Sequence, residues 1–586
     1  MISGSTTPGF PTARFSVAAF LAQSGADAPS EAELALLGHA ALGSLCQLSA
    51  TCPDPTDPAA PRIRAELLAH LITGGSAEAP VSLAGVRLIG AVITGPLRLT
   101  FAEAKGETDL RACHFSDPIN ARRARFTQLV LSGSVFPGLA AEGARIEGSV
   151  FLLGITATGR ISFATAEIGG QLALNGAAIP SLTAQGARIG ASVYLRASDD
   201  SPFTSRGEVS FAGAQIGGQL ACDGADLSNL GKIALNAQGA RIAGDVILHD
   251  RGPFSFSAEG EVRLSGAQIG GQLDCATARF SNPRGHAFAG QRMQVGAEFF
   301  WQSVSVAAGD IHLPSAHVGD LVDDLASWPL GGRVYLDGFT YDRITRDAPV
   351  DAASRLAWLA RCDRKDGRFL PQPYSQAAAV LARMGHEAEA RQIMEEQARL
   401  KGIARRAARR QTGGYLAQPG AAFDWLWDRA ARSVVGYGYQ PFRSVLWIAG
   451  LSLVAAFLGF MAWQEGSMAP NNDLIAASDS WQALLAQDCV PVPVPGCIAN
   501  PAALWNGPNG AGLDWESFQP LAYGADVVIP VLELGQTKAW SPSKDRGPWG
   551  FRLWWARWVL MLAGWVVTAL GAAAATGIIQ RSTPTA

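Results

Sequence analysis

The sequence predicts a mainly β protein: a right-handed parallel β-helix solenoid with an N-terminal helical cap, a C-terminal helical hairpin and two transmembrane helices. Three observations predict it. One string recurs in near copies, TAEIGGQLALNGA from Thr165, GAQIGGQLACDGA from Gly213 and GAQIGGQLDCATA from Gly266, with AQGARIGASVYL and AQGARIAGDVIL between them. Two segments, Val445 to Trp463 and Trp558 to Ile579, carry no charge over 19 and 22 residues, which matches the roughly 20 needed to cross a hydrocarbon core. At 586 residues, 48% hydrophobic and 17% charged, the chain is too long for one core and too apolar for an ordinary soluble protein. Its 47 basic and 50 acidic residues give no reason to expect a nucleic-acid partner.

Residues 1–79 read as the cap, with helical spacing in EAELALLGHAAL from Glu31 and RIRAELLAHLI from Arg62, joined by CPDPTDPAAP. The apolar run FSVAAFLA after Arg14 is short and no small-x-small site follows, so a secretory signal is not expected. Residues 80–345 form the repeat domain. Its anchoring isoleucines, Ile146, Ile168, Ile189, Ile216, Ile242 and Ile269, are spaced by 22, 21, 27, 26 and 27 residues, a solenoid period. Apolar residues such as Ile168, Leu172 and Leu174 alternate as an inward-facing strand requires. The glycine pairs Gly169-Gly170 and Gly217-Gly218 supply the corners. The expected coil has three short strands and lacks the five-residue cycle of pentapeptide repeats, with roughly ten coils stacked near 4.8 Å. Gln171, Gln219 and Gln272 occupy equivalent positions and are expected to form a ladder. Asp223, Asp245, His249, Asp250 and Asp274 are expected in solvated turns, not as converging catalytic acids.

An open solenoid end exposes a strand ladder. Residues 346–412 are therefore expected as a helical hairpin of tetratricopeptide-like cast on the last coil, carrying Tyr374, Ala377, Leu381, Ala388, Ala390 and Ile393. Residues 413–444 are a basic and aromatic juxtamembrane segment containing VGYG, the string of potassium-channel filters. It precedes the first span and has no pore helix before it, so it is read as a hinge at Gly436 and Gly438 with Tyr437 and Tyr439 as interfacial anchors and Pro441 as a helix starter. The first transmembrane helix is residues 445–463, and residues 552–586 contain the second and a short tail. In the second, Gly564, Thr568, Ala572 and Thr576 recur every four residues as a small face for helix packing.

Charge sets the orientation. Nine basic residues against two acids lie between Arg399 and Arg443, whereas residues 464–551 hold three basic and nine acidic, so the solenoid and both termini are expected in the cytoplasm of a bacterial inner membrane and the loop in the periplasm. Cys489 and Cys497 bracket a proline-stiffened CVPVPVPGC, which suits a disulfide on the oxidising side. The other six cysteines show no CxxC and no Cys/His spacing, so neither metal nor cofactor is expected. Within the loop, residues 518–540 (FQPLAYGADVVIPVLELGQTKAW) contain a stretch, Ala522 to Leu534, that is apolar apart from Asp526 and Glu533 and too short to span. They read as a helix lying on the membrane surface, held by Tyr523 and Trp540 with Trp554 and Trp555 in the adjoining belt, or as a re-entrant element that brings Asp526 and Glu533 into a ring in a homo-oligomer.

The GARIGG-type coils, PQPYSQAAAVLARMGHEAEAR, GYGYQPFR, the 518–540 string and GWVVTAL together resemble, over essentially the whole chain, a widespread bacterial family of membrane-anchored β-helix proteins of unassigned chemistry that carries the label membrane-associated oxidoreductase. The resemblance implies that label. The residues do not supply its chemistry: there is no strand-borne GxGxxG and no redox CxxC, and the nearest glycine cluster, NGPNGAG at Asn506, lies in the loop. The sequence thus points to a scaffold or sensor that meets the lipid bilayer and a protein partner on the solenoid surface, with a two-span ion channel gated by the solenoid as the competing class and an oxidoreductase as the remote one.

Overall fold

The computed structural model describes residues 15–25, 28–330, 333–365, 368–411, 417–489 and 495–576. It divides into two compact units, 1–393 and 394–586, with the boundary inside one helix. The first unit is the parallel β-solenoid, with about eleven turns. Coils between Arg125 and Ser210 hold four strands, not three, and in later coils neighbouring strands merge into longer ones such as Asp226–Asn236 and Arg279–Ala289. One coil runs through Arg145–Ile146, Val150–Phe151, Thr156–Ala157 and Ile161–Ser162 before the next begins at Glu167–Ile168. Inward residues therefore return at Ile146, Leu152, Ala157, Phe163 and Ile168, all buried, so a five-residue cycle is present after all. An extra residue at alternate corners breaks its strict period and hides it in the sequence. Thr165 adopts φ 55 at the corner where Gly143, Gly186 and Gly213 have φ near it, which explains why glycine dominates that position.

Stacking is in register. Ile146 pairs with Ile168, Ile168 with Ile189, Ile189 with Ile216, Ile216 with Ile242 and Ile242 with Ile269, one continuous inward column. The glutamines do not form a ladder. They alternate with Ser149, Ser192 and Asp245, whose side-chain oxygens accept the backbone N–H of Gln171, Gln219 and Gln272 at 3.1, 3.2 and 2.9 Å. The turn acids are not free in solvent either: Asp223 is buried and bridges Arg196 and Arg251, each at 2.8 Å, and Asp250 accepts from the N–H of Phe256.

Both ends of the ladder are covered. It starts inside the predicted cap, where Cys46–Gln47 and Arg62–Arg64 pair with Leu88–Ile89 and Val92–Thr94. Only Ala65 onward of RIRAELLAHLI is helical, because RIR is claimed by that strand. Helices α1 (Glu31–Leu42) and α2 (Ala65–Ile72) flank this edge. At the far end, α3 (Ala352–Leu359) and α4 (Gln372–Arg383) follow the last strand, Thr340–Ile344. There Gln372 takes the N–H of Gly338 and donates to the carbonyl of Phe339, while Gln376 donates to Tyr341 and Arg383 to Asp342. These side chains satisfy backbone groups that would otherwise template another strand. Beneath them Arg355 and Asp323, 1% and 2% exposed, form a bidentate pair to which the Trp328 indole also donates.

The second unit contains the end of α5 (Glu387–Gln411), then α6 (Ala417–Val435), α7 (Phe442–Gln464), α8 (Pro520–Val528) and α9 (Pro548–Ala575). Helices α7 and α9 are long and apolar enough to cross a membrane. Their outward faces remain apolar, with Leu446, Leu453, Phe457, Val559, Leu562 and Trp565 exposed, a surface that suits lipid better than water. Helix α9 begins ten residues before the predicted apolar segment, through an amphipathic turn bearing Arg552 and Arg557; its predicted last residues, from Gly577, lie outside the described residues. Its packing face is Leu560, Gly564, Val567, Gly571 and Ala574, whereas Ala572 and Thr576 are exposed. A spacing of four drifts about 40° per step around a helix of 3.6 residues per turn, so the predicted small face cannot stay on one side. The VGYG string forms one tight turn between α6 and α7 in which Gly436, Tyr437 and Gly438 all have positive φ.

Candidate functional site

The solenoid carries one groove of about 920 Å³. The residue before each inward isoleucine points outward, so Arg145, Glu167, Arg188, Gln215, Arg241 and Gln268 form an exposed column along it, continued by Gln294. The residue after the isoleucine is glycine in most coils. A Cβ at Gly190 would lie 2.2 Å from the Gly169 carbonyl oxygen, and one at Gly217 2.2 Å from that of Gly190, so at these coils the floor is backbone approaching too closely for a side chain, while Glu147 and Ala243 fill the same position in theirs. Glu167 ties Arg145 at 2.7 Å and Arg188 at 3.5 Å, and the Gln268 amide accepts from Arg241 at 3.3 Å. The result is a strip of guanidinium, carboxylate and amide groups over a largely glycine floor, able to donate and accept along its length. Sequence reading missed this column, although the alternation of Arg, Glu and Gln before each isoleucine was visible in the repeats.

In the second unit, Cys489 and Cys497 are joined in a disulfide; Pro491 and Pro493 of the stiffened turn lie outside the described residues. The six remaining cysteines are free, and all but Cys52 are buried. Burial pushes the Cys46 thiol up to about 11 and Cys113 to about 12, away from thiolate chemistry. Among the described residues no group of three or more His, Cys, Asp and Glu is placed to hold a metal ion.

Within residues 518–540, Phe518, Tyr523, Val527, Val528 and Trp540 are buried while Leu521, Val531 and Leu534 are exposed. Helices α7 and α9 run antiparallel, Ser444 beside Gly571 at one end and Glu465 accepting from the N–H groups of Trp549 and Gly550 at the other. Helix α8 enters beside Trp463, where Phe518 stacks at 4.7 Å, and descends until Gly524 meets the Ser452 carbonyl and the Val528 carbonyl meets Gly564. Ser452 is 13 residues from Glu465, so the helix tip sits roughly 20 Å below that end at 1.5 Å per residue. Glycine is required at both contacts, since a Cβ would fall 2.2 Å from the oxygen of Ser452 and 1.9 Å from that of Val528.

Of the two acids expected in this segment, Asp526 accepts from the backbone N–H groups of Leu534 and Thr537 and from the Thr537 hydroxyl, bracing the returning loop, while Glu533 is exposed and pairs with Lys538 at 3.1 Å. The expected anchors divide. Tyr523 and Trp540, each 1% exposed, are buried in the aromatic core with Phe518 and Trp463 instead of reaching a surface, because α8 is sandwiched between two helices. Trp554 and Trp555 pack edge to face on the outside of α9, and Trp555 is exposed. The Tyr437 hydroxyl donates to Asp428 at 2.9 Å, and Tyr439 is half-buried. The glycine cluster at Asn506 is closed on itself, its amide donating to the carbonyls of Gly512 and Trp515.

Fold and site together define a β-solenoid protein that also carries a packed pair of apolar helices enclosing a shorter one. No protein-family model, curated protein or solved structure matches the chain.

Proposed function

We propose that the chain is a membrane-anchored scaffold or sensor that binds a polypeptide partner along the solenoid groove at the cytoplasmic face of a bacterial inner membrane. The groove carries this reading: an exposed column from Arg145 to Gln294 over a glycine floor offers a continuous polar track several coils long, and solenoids use such extended surfaces for binding. Both solenoid ends are sealed, which leaves its sides for recognition. The basic excess before Arg443 and the disulfide in the acidic loop support the cytoplasmic placement. A thiol-based redox role finds little to work with, since five of the six free thiols are buried.

Photo-crosslinking residues placed at Arg188, Gln215 and Gln268 should yield one common protein adduct that a residue at Glu259, on the other sheet, does not, and Arg188→Glu should abolish it. Groove positions that give no adduct above the Glu259 level sink the reading. Reporter fusions after Arg410 and within 471–509 should report cytoplasm and periplasm respectively.

A second reading, an ion-conducting oligomer, draws on the descent of α8 between α7 and α9, the plan of a re-entrant element. Single-channel currents abolished by Asp526→Lys but not Asp473→Lys would establish it; silent bilayers containing the purified oligomer would remove it.

A further inference from the structure

A second cavity, about 280 Å³, lies wholly in the second unit, between α5, α6 and the Gly436–Gly438 turn, with Leu570 of α9 on its floor. Lys401, Arg405 and Arg406 bring three cations to it and Asp428 one acid. The acid is used: Asp428 pairs with Arg406 at 3.0 Å and accepts from the Tyr437 hydroxyl at 2.9 Å. Among the described residues Lys401 donates to the neutral amide oxygen of Gln397, at 2.9 Å, and neither Lys401 nor Arg405 has an acidic partner. Two positive charges are left facing one cleft. Burial holds the Lys401 ammonium below its ordinary value, a cost that an anion beside it would offset.

The position is as informative as the charge. Leu570 adjoins Gly571, which meets Ser444 at the end of the α7–α9 pair opposite the disulfide loop. If these helices span a bilayer, this is the depth of phospholipid headgroups. Trp427 lines the cavity yet is 53% exposed, and Phe442 is 62% exposed, apolar surface where acyl chains would run. Tyr437 also holds φ 55, a left-handed conformation that side-chain-bearing residues rarely adopt. Its hydroxyl and Arg406 together occupy Asp428.

We propose that this cavity binds the phosphate of an anionic phospholipid headgroup, with Lys401 and Arg405 as its donors and Trp427 and Phe442 against the acyl chains. The proposal rests on the reading of α7 and α9 as spans, not on the partner groove. The required chemistry is a phosphate group carrying net negative charge, which free phosphate could also supply; the exposed apolar flank favours the lipid.

The test is native mass spectrometry of the full-length protein in detergent, titrated with phosphatidylglycerol, phosphatidylcholine and inorganic phosphate. One phosphatidylglycerol should bind at least tenfold more tightly than phosphatidylcholine. Lys401→Gln with Arg405→Gln should weaken it by about 25-fold, each cation near an anionic headgroup contributing about fivefold, while Lys401→Arg should retain binding and Arg552→Gln, at the other end of α9, should change nothing. Equal affinity for the two lipids, or binding indifferent to the double substitution in protein with unchanged circular dichroism, overturns the site. Displacement by equimolar inorganic phosphate overturns the lipid assignment. Carbonate extraction of the protein from vesicles checks the spans separately: a fully extracted chain defeats the span reading whatever the cavity binds.

Discussion

In the solenoid, one position is filled the same way in six successive coils: Ile146, Ile168, Ile189, Ile216, Ile242 and Ile269 are each at most 3% exposed and each rests on the next. In the second unit no contact repeats. Trp463 meets Phe518 and Trp540, Gly524 meets Ser452, and Gly564 meets Val528, each once. The first arrangement spreads its stability over many equivalent neighbours, so loss of one interior contact is shared. The second concentrates stability at a few close approaches where nothing can substitute. The sensitive points of the solenoid should accordingly be its ends, where unique side chains replace the missing neighbour.

The largest effect is expected at such an end. Arg355→Met leaves the Asp323 carboxylate buried with the Trp328 indole as its remaining side-chain donor, and should cost about 3–5 kcal/mol. Arg355→Met combined with Asp323→Leu should recover most of that, because removing both charges removes the penalty. Denaturant unfolding of the full-length protein in detergent measures both, and a double variant as unstable as the single one would contradict the account. Next comes Gly564→Leu, which drives a side chain into the Val528 carbonyl and should cost about 2–3 kcal/mol. Gly450→Leu, on the exposed side of α7 with no heavy atom within 4 Å of its added Cβ, is the control. Limited proteolysis should cut within 529–535 in the first variant and spare the second; equal cutting would show that α8 does not depend on that contact.

The same contrast explains what could be read from the sequence. A column repeated many times writes its period into the chain, so the solenoid, its anchoring isoleucines and the two apolar helices were legible. The coil's fourth strand was not, because an extra residue at alternate corners turns a five-residue cycle into an irregular one. Contacts made once leave no period. Nothing in FQPLAYGADVVIPVLELGQTKAW states that Gly524 will face Ser452, and an apolar helix too short to span reads equally as lying on a surface or dipping below it. Asp526 looked like a pore acid because its acceptors' partners, Leu534 and Thr537, come close only after the loop turns back.

A cross-link sharpens the comparison in the second unit alone. Cys489 and Cys497 close a loop with a sequence separation of 8, for which chain-entropy arguments give about 2–3 kcal/mol. Cys489→Ser with Cys497→Ser should lower the unfolding free energy of the second unit by that amount and leave the solenoid transition where it is. Protein purified without reductant should show no free thiol at either position on alkylation, and labelling of both would remove the argument for an oxidising compartment.

The smallest effect, at the N-terminal end of the solenoid, tests whether that end too depends on a unique side chain. Glu33 is 2% exposed; its carboxylate accepts from the N–H of Ser30 and from the backbone and guanidinium of Arg64, tying α1 to the Arg62–Arg64 strand. Burial pushes its pKa up, but the hydrogen bonds from Arg64 and Ser30 and the nearby positive charge outweigh that, and the net shift is down from the ordinary 4.5. A carboxyl depressed in the folded state contributes stability that is fully present above its unfolded value and is lost as the pH falls toward its folded value. Glu33→Gln should therefore cost about 1–2 kcal/mol near neutrality, the worth of charge-assisted hydrogen bonds partly retained by the amide, with the gap from the unsubstituted protein constant between pH 6 and 8 and narrowing below about 4.5. A gap that widens on acidification would mean that the first coil is held by something other than this carboxylate, and the ends of the solenoid would then be no more specialised than its middle.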